Sequence, residues 1–385
     1  MNALAKRPVA AVALVAAGLA AGLALLMLAP SDAPASLGGL VAPRGLTPTA
    51  DGALLVAEGG AGRLLRWDLD DGVDVVSGDF PFLAQSGIEG ESASGISAAL
   101  QAGDGTYYAI VGEARAKGHQ ELYRLDPPSP PVGVTGQDVL GVFPPQPVVN
   151  PYDLVRSANG DFLVTDSGRN AVLRISEAGE IADYALFVSR DVPGADGVID
   201  VVPTGAAWGP DSALYVASLT GWPHPASEAL VYRIVDANGD GDALDDGEVS
   251  VYANGFTAAT DLAFEADGSL LVTEFSTDMA DLVTDLTAER AAELPGRLVR
   301  RTPSGVTQVV ADNLVAPTAV AVVGDRLFVS EEFAGRVREV ASPSAHRLTN
   351  KAMLLAAATG LIAAIATVAG LRLYRRNAHL VDGEY

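Results

Sequence analysis

Residues 150–176, NPYDLVRSANGDFLVTDSGRNAVLRIS, alternate apolar and polar side chains in three short bursts. Alternation over 152–156, a tight Ala158-Asn159-Gly160 turn, alternation over 161–165, a polar loop over 166–170 and a last burst over 171–175 predict three antiparallel strands. The middle strand closes on a polar residue. It recurs along the chain with that residue at Glu58, Glu113, Asp166, Ser218, Glu274 and Glu331, at spacings of 55, 53, 52, 56 and 57 residues. Each copy is followed by a third strand with an arginine near its end: RLLRWD, ELYRLD, AVLRIS, LVYRIV, RLVRRT and RVREV. Six units of short alternating strands at this period predict an all-β fold, a six-bladed β-propeller of four-stranded blades.

A second self-match predicts how the ring closes. Leu40-Val41-Ala42-Pro43 repeats at Leu314-Val315-Ala316-Pro317, where the preceding residues form the outer strand of the fifth blade. The N-terminal copy is expected to supply the outer strand of the last blade, whose own sequence stops after a third strand at 336–340, so that no sheet edge is left open. Within the fifth blade, residues 275–295 are rich in Ala, Leu and Glu, and between Phe275 and Leu294 contain neither Gly nor Pro, which predicts a short surface helix.

The pattern changes at both ends. Residues 1–35 carry Lys6-Arg7, an uncharged apolar run over 9–29 and an Ala33-Pro34-Ala35 step, which reads either as a cleaved signal peptide or as a retained membrane anchor. The propeller occupies 36–341 and a polar spacer 342–350; residues 351–371 form an apolar stretch of membrane-spanning length, followed by a tail over 372–385 that opens with Arg372, Arg375 and Arg376. Flanking transmembrane helices with positive charge on the same side place the protein at the cell membrane, with the propeller extracytoplasmic and the C-terminal tail cytoplasmic.

Composition sharpens this picture. The net charge is −23, and setting aside the terminal segments leaves 18 basic against 45 acidic residues, or −27, on the central domain. Such a surface repels phosphate backbones and excludes nucleic acid as a partner, while favouring cations and basic ligands. Cysteine is absent, which excludes disulfides and thiolate metal sites.

Three constellations bear on chemistry. In residues 236–248 the spacing D-x-N-x-D-G sets Asp236, Asn238 and Asp240 as oxygen ligands with a turn glycine at Gly241, and Asp242 and Glu248 complete a candidate structural calcium site. This loop departs from the usual calcium-loop pattern at its twelfth position, where Gly247 stands and Glu248 comes one residue late; a solvated acidic turn is the competing reading. The carboxylates closing the second strands, Glu58, Glu113, Asp166, Glu274 and Glu331, are expected on one face with Arg44, Asn150, Asp153, Thr204 and Asp261, either as ligand-facing groups at the channel mouth or as acceptors for their own loop backbone. Nucleophilic machinery is missing: there is no Cys and no G-x-S-x-G elbow, and of His119, His224, His346 and His379 only His224, beside Trp222, sits in a loop where propellers place ligand contacts.

The strings NPYDLVRSANGDFLVTDSGRNAVLRI, VPTGAAWGPDSALYVASLTGWPHP, VYANGFTAATDLAFEADGSLLVTE and VAPRGLTPTADGALLVAEGGAGRLLRWD resemble the ScyD/ScyE-type six-bladed propellers, relatives of NHL-repeat, streptogramin-lyase-like and gluconolactonase-like propellers. The resemblance covers about 300 residues and implies the fold; namesakes of the group are associated with biosynthesis of the pigment scytonemin. The C-terminal span sets this chain apart, and the lyase-type catalytic histidines have no counterpart in it. Two functions follow as expectations. One is a membrane-held module binding a small-molecule or protein ligand; the other is a metal-dependent hydrolase or lactonase, lyase or oxidoreductase in the channel, for which Glu58, Asn150, Asp153, Asp166 and Asp261 would have to converge.

Overall fold

A computed structural model describes residues 34–84, 93–112, 120–125, 137–141, 148–192 and 197–340. Among these residues no helix is long and apolar enough to cross a membrane. The apolar runs over 9–29 and 351–371, the tail, Glu113, His119, His346 and His379 lie outside them.

Six four-stranded antiparallel sheets form the blades of a β-propeller. Their innermost strands are Pro43–Pro48, Ile96–Gln101, Pro151–Arg156, Pro203–Trp208, Ala259–Phe264 and Pro317–Val323. In each blade the second strand is sandwiched between neighbouring sheets, so both of its faces are covered. All five residues of Leu54–Glu58, Tyr107–Val111, Phe162–Asp166, Leu214–Ser218 and Leu270–Glu274 are buried. The outer strands face water, and Gly72–Ser77 exposes its first four residues. Apolar clusters therefore run between blades: Tyr108 of blade two stacks on Phe162 of blade three with centroids 4.6 Å apart, and the Arg156 guanidinium lies 5.5 Å from each ring.

Blade six closes as the repeat of 40–43 predicts. Ser36–Gly38 pairs antiparallel with Arg336–Val340, in the register Ser36 with Arg338 and Gly38 with Arg336, giving the sheet its fourth strand. The predicted single helix within 275–295 is instead two short ones, Met279–Leu282 capped by Asp278 and Ala288–Glu293 capped by Thr287. They are less superficial than expected, because Met279, Leu282, Leu286 and Ala291 pack on Ala258, Phe275 and Ala316.

The ring has two unlike faces. At the entry face, the innermost strands begin and the second strands end. At the exit face lie the turns joining first to second strands, each bearing an aspartate: Asp51, Asp104, Asp161, Asp211, Asp267 and Asp325. Asp104, Asp211 and Asp267 accept the amide two residues on, from Thr106, Ala213 and Ser269. The recurring third-strand arginines reach back to this region: Arg66 bonds Asp51, Arg233 bonds Asp211 at 2.8 Å, and Arg300 bonds Glu265 beside the turn.

Candidate functional site

The structure divides the candidate residues into two groups. Glu58, Asp166, Glu274 and Glu331 are fully buried and turn into their own blades. Glu58 accepts the Val41 amide at 2.8 Å and a bidentate pair from Arg63; Glu274 accepts the Thr257 amide and Arg297; Glu331 accepts the Val315 amide at 2.8 Å together with Arg336 and Arg338. Each amide belongs to the residue before an alanine in left-handed geometry, Ala42, Ala258 and Ala316, with φ of 48°, 48° and 50°. A conformation unfavourable for a residue with a Cβ is held by a charge-assisted hydrogen bond from below. Asp166 fastens its entry loop through backbone alone, accepting the amides of Val149, Asn150, Gly168 and Arg169.

Arg44, Asp153 and Asp261 belong to the second group and line a central cavity of about 390 Å³ with Tyr152. In a propeller the innermost strands present an unpaired backbone edge to the channel, and the buried N–H and C=O groups there require partners. The second residue of each innermost strand addresses this in four blades: hydroxyls of Ser97, Thr204, Thr260 and Thr318 donate to the first carbonyl of the next blade, Pro151, Ala259, Pro317 and Pro43, at 3.4, 2.9, 2.9 and 3.1 Å. In the remaining two blades that position holds Arg44 and Tyr152, and Ser167 makes the missing link to Pro203 at 2.6 Å. The repeat is thus broken where side chains enter the channel.

Third positions carry Asp153 in blade three and Asp261 in blade five. Asp153 accepts the amides of Leu154 and, across the blade boundary, Ala206 at 2.8 and 2.7 Å; Asp261 accepts those of Leu262 and Val320, both at 2.8 Å. Gly205 separates them. A methyl group on Gly205 would lie 2.1 Å from Asp261 Oδ1 and 2.5 Å from Asp261 Cα, a backbone conflict with no flexible atom to yield. Gly205→Ala is therefore expected to cost about 1–3 kcal/mol, read by chemical unfolding of the full chain; an unchanged midpoint would contradict the close approach.

Burial raises the Asp153 carboxyl to about 6 against the pull of its two amides, and burial followed by the charge of Asp153 pushes Asp261 well above the ordinary carboxylate range. The Tyr152 phenol is likewise raised by burial and stays protonated. Arg44 donates to Glu332 at 3.2 Å. The site therefore offers two buried carboxyls that feel each other's charge, a phenol and an ion pair, at the entry end of a channel whose walls are mostly Leu, Val, Ala, Phe and Trp, with Thr47, Ser97 and Thr318 among them.

Glu332 and Tyr152 were not anticipated. The doubled Glu331-Glu332 was a usable signal for the first, whereas Tyr152 reads as an ordinary strand residue. Asn150 contributes its backbone to the Asp166 loop, and Thr204 belongs to the hydroxyl links. His224 bonds the Thr220 carbonyl at 2.7 Å within its own loop.

The expected calcium ligands are arranged around their own backbone. Asp236 accepts the Gly239 and Gly241 amides, Asn238 donates to Asp240 and Asp245, Asp242 accepts the Leu244 amide, and the buried Glu248 accepts those of Ala237 and Asp245. Among the described residues no group of three His, Asp or Glu is placed to hold a metal. Glu58 and Asp166 turn into their own loops, away from Asp153 and Asp261 in the channel.

A gluconolactonase from Xanthomonas campestris superposes with a TM-score of 0.52 at 14% identity, covering 81% of this chain and 91% of that one. The PQQ-bound aldose sugar dehydrogenase of Streptomyces coelicolor gives 0.52 at 16% identity, covering 81% and 99%. The chain shares the fold of these propellers. Virginiamycin B lyase from Staphylococcus aureus aligns over 80% of this chain and 98% of its own at 15% identity, with a TM-score of 0.47. No family model and no curated protein matches the sequence. At such identities the likeness is one of architecture and assigns no reaction.

Proposed function

We propose that this protein is a small-molecule-binding propeller of the ScyD/ScyE type, held at the outer side of the cell membrane by its terminal apolar segments, with its ligand in the central channel. The observation that carries the reading is the cavity of about 390 Å³: apolar walls with Arg44, Tyr152, Asp153 and Asp261 converging at one end. That is the size and make-up of small-molecule sites, where apolar area supplies affinity and a few polar groups fix orientation. A ligand that donates hydrogen bonds or carries positive charge suits the carboxyl pair, in keeping with the acidic domain. Turnover is the lesser reading, because the channel hydroxyls of Ser97 and Thr318 are bound to backbone carbonyls and no group of three His, Asp or Glu among the described residues is placed to hold a metal.

Titration of the full chain in detergent with a panel of water-soluble aromatic and aliphatic amines, followed by calorimetry, is expected to give binding lost on Ala263→Trp, which fills the channel. Asp153→Asn should weaken it about tenfold, the loss of one charge-assisted contact worth about 1.4 kcal/mol. Absence of binding across the panel would count against the proposal. Hydrolysis of lactone or ester panels that disappears on Asp153→Asn would favour the enzyme instead.

A further inference from the structure

The chain enters and leaves the propeller on the same face. Strand Arg336–Val340 starts at the entry face, where Arg336 pairs with Glu331, and ends at the exit face, where Val340 pairs with Leu327. Ser36–Gly38 runs antiparallel to it, with Ser36 opposite Arg338, so residues 34 and 35 also approach from the exit face. Six residues separate the apolar run ending at Ala29 from Ser36, and ten separate Val340 from Lys351. Fully extended, these tethers reach only about 20 Å and 35 Å.

The channel is graded along the same axis. Its polar groups sit at the second and third positions of the innermost strands, near the entry face, while Pro48, Val155, Trp208, Phe264 and Val322 line its exit end. Pro48 and Trp208 are exposed there, and the Trp208 indole N–H donates to the Arg156 carbonyl at 2.9 Å, leaving its ring at the mouth. An indole with its polar atom satisfied and its ring exposed is at home at a lipid boundary. Around this apolar mouth stand the turn aspartates 51, 104, 161, 211, 267 and 325; Arg66, Arg174 and Arg233 pair with 51, 161 and 211, so the negative charge the mouth presents comes mainly from the other three, which disfavour anionic headgroups and tolerate neutral or cationic ones.

From these observations we infer that the exit face is turned to the membrane and that the channel draws its ligand, an uncharged or cationic amphiphile, out of the lipid through the exit mouth. This rests on the reading of the channel as a ligand site and adds the ligand class and the route. The polar head would travel about 10 Å along the strands to reach Asp153 and Asp261, leaving its apolar chain against Phe264, Val322 and Trp208.

The absence of native cysteine makes the orientation directly measurable. The full chain, reconstituted in phosphatidylcholine vesicles, would carry one donor dye after Ala50→Cys, in an exit-face turn, or after Val188→Cys, exposed beside the entry face. Energy transfer to headgroup-labelled acceptor lipid is expected to be clearly greater from position 50. Equal or inverted transfer would overturn the inference. In the same vesicles a dansylated long-chain amine should bind, its carboxylate counterpart should bind at least about tenfold more weakly, a difference of about 1.4 kcal/mol, and Trp208→Gln should weaken the amphiphile by a larger factor than it weakens a short soluble amine; an equal loss for both would count against the lipid-side mouth. Binding of short amines with no uptake of the lipid-borne probe would sink the membrane route and leave the channel site standing; failure of both classes would sink both. Melting curves for each variant separate lost binding from lost folding.

Discussion

Glu331→Ala is expected to destabilise the full chain by about 3–5 kcal/mol, because it removes one partner from a buried ion pair and leaves the others without compensation. The carboxylate is fully buried, accepts Arg336 and Arg338 at 2.6 and 2.8 Å, and fastens the Val315 amide ahead of the left-handed Ala316. Both arginines are about a third exposed and can recover hydration, which places the cost toward the lower end. Asp51→Ala makes the control: its pair with Arg66 is open to solvent and should be worth no more than about 1 kcal/mol. Urea unfolding of the two variants side by side decides the matter. Equal costs would mean that the carboxylates closing the second strands are not the fasteners of the entry loops.

Stability should peak at mildly acidic pH, between about 4 and 5, instead of near neutrality. Asp153 and Asp261 are raised by burial, so between the unfolded carboxyl value near 3.9 and about 6 the folded chain holds more protons than the unfolded one. By linkage, stability then falls as pH rises through that window, by up to about 3 kcal/mol for a shift of this size. Asp104 and Asp267 act oppositely: amide hydrogen bonds from Thr106 and Ser269 hold them below the ordinary value, so their contribution is lost as pH drops beneath it. Above neutrality the net charge of −23 adds self-repulsion. Melting temperature followed from pH 3.5 to 8 (about the range these groups titrate over) should rise, pass its maximum and decline, and the decline should shrink in Asp153→Asn. A curve still rising between pH 5 and 7 would refute the buried, proton-holding pair. The same variant should not gain stability at neutral pH, since its amide nitrogen would meet the Leu154 or Ala206 N–H where a carboxylate oxygen now accepts.

Blade number and strand order were legible because a strand sandwiched between two sheets must be apolar throughout and a turn must follow it, and Phe162–Asp166 with its five counterparts writes that rule at a fixed period. Ring closure was legible through one matched tetrapeptide, Leu40–Pro43 against Leu314–Pro317. The site was less so. Whether a carboxylate faces the channel or its own loop depends on its position on the strand edge: Asp166 and Asp153 are thirteen residues apart in one blade, yet the first serves four loop amides and the second caps the amide of the next blade. Sequence could name both and could not separate them. The third-strand arginines gave a clear repeat but no partner, because the aspartates they meet are across a turn. Tyr152 was hidden by its conformity to the alternation; only comparison with Ser97, Thr204, Thr260 and Thr318, set by the inter-blade hydroxyl links, marks it as the odd residue.

The three-residue strand at Ser36–Gly38 has a consequence for how the protein is made. Ser36 hydrogen-bonds Val337, 301 positions away, so one of the first parts of the propeller to leave the ribosome must wait for one of the last. At a synthesis rate of about 5–20 residues per second, that wait is roughly 15–60 s. Through this interval the sixth sheet does not exist and the first has no neighbour on one side, which leaves apolar faces for chaperones to cover. The final ring records that synthesis ran to the end: a chain interrupted before Arg336 has no place for its own N-terminal strand and keeps an unpaired sheet edge.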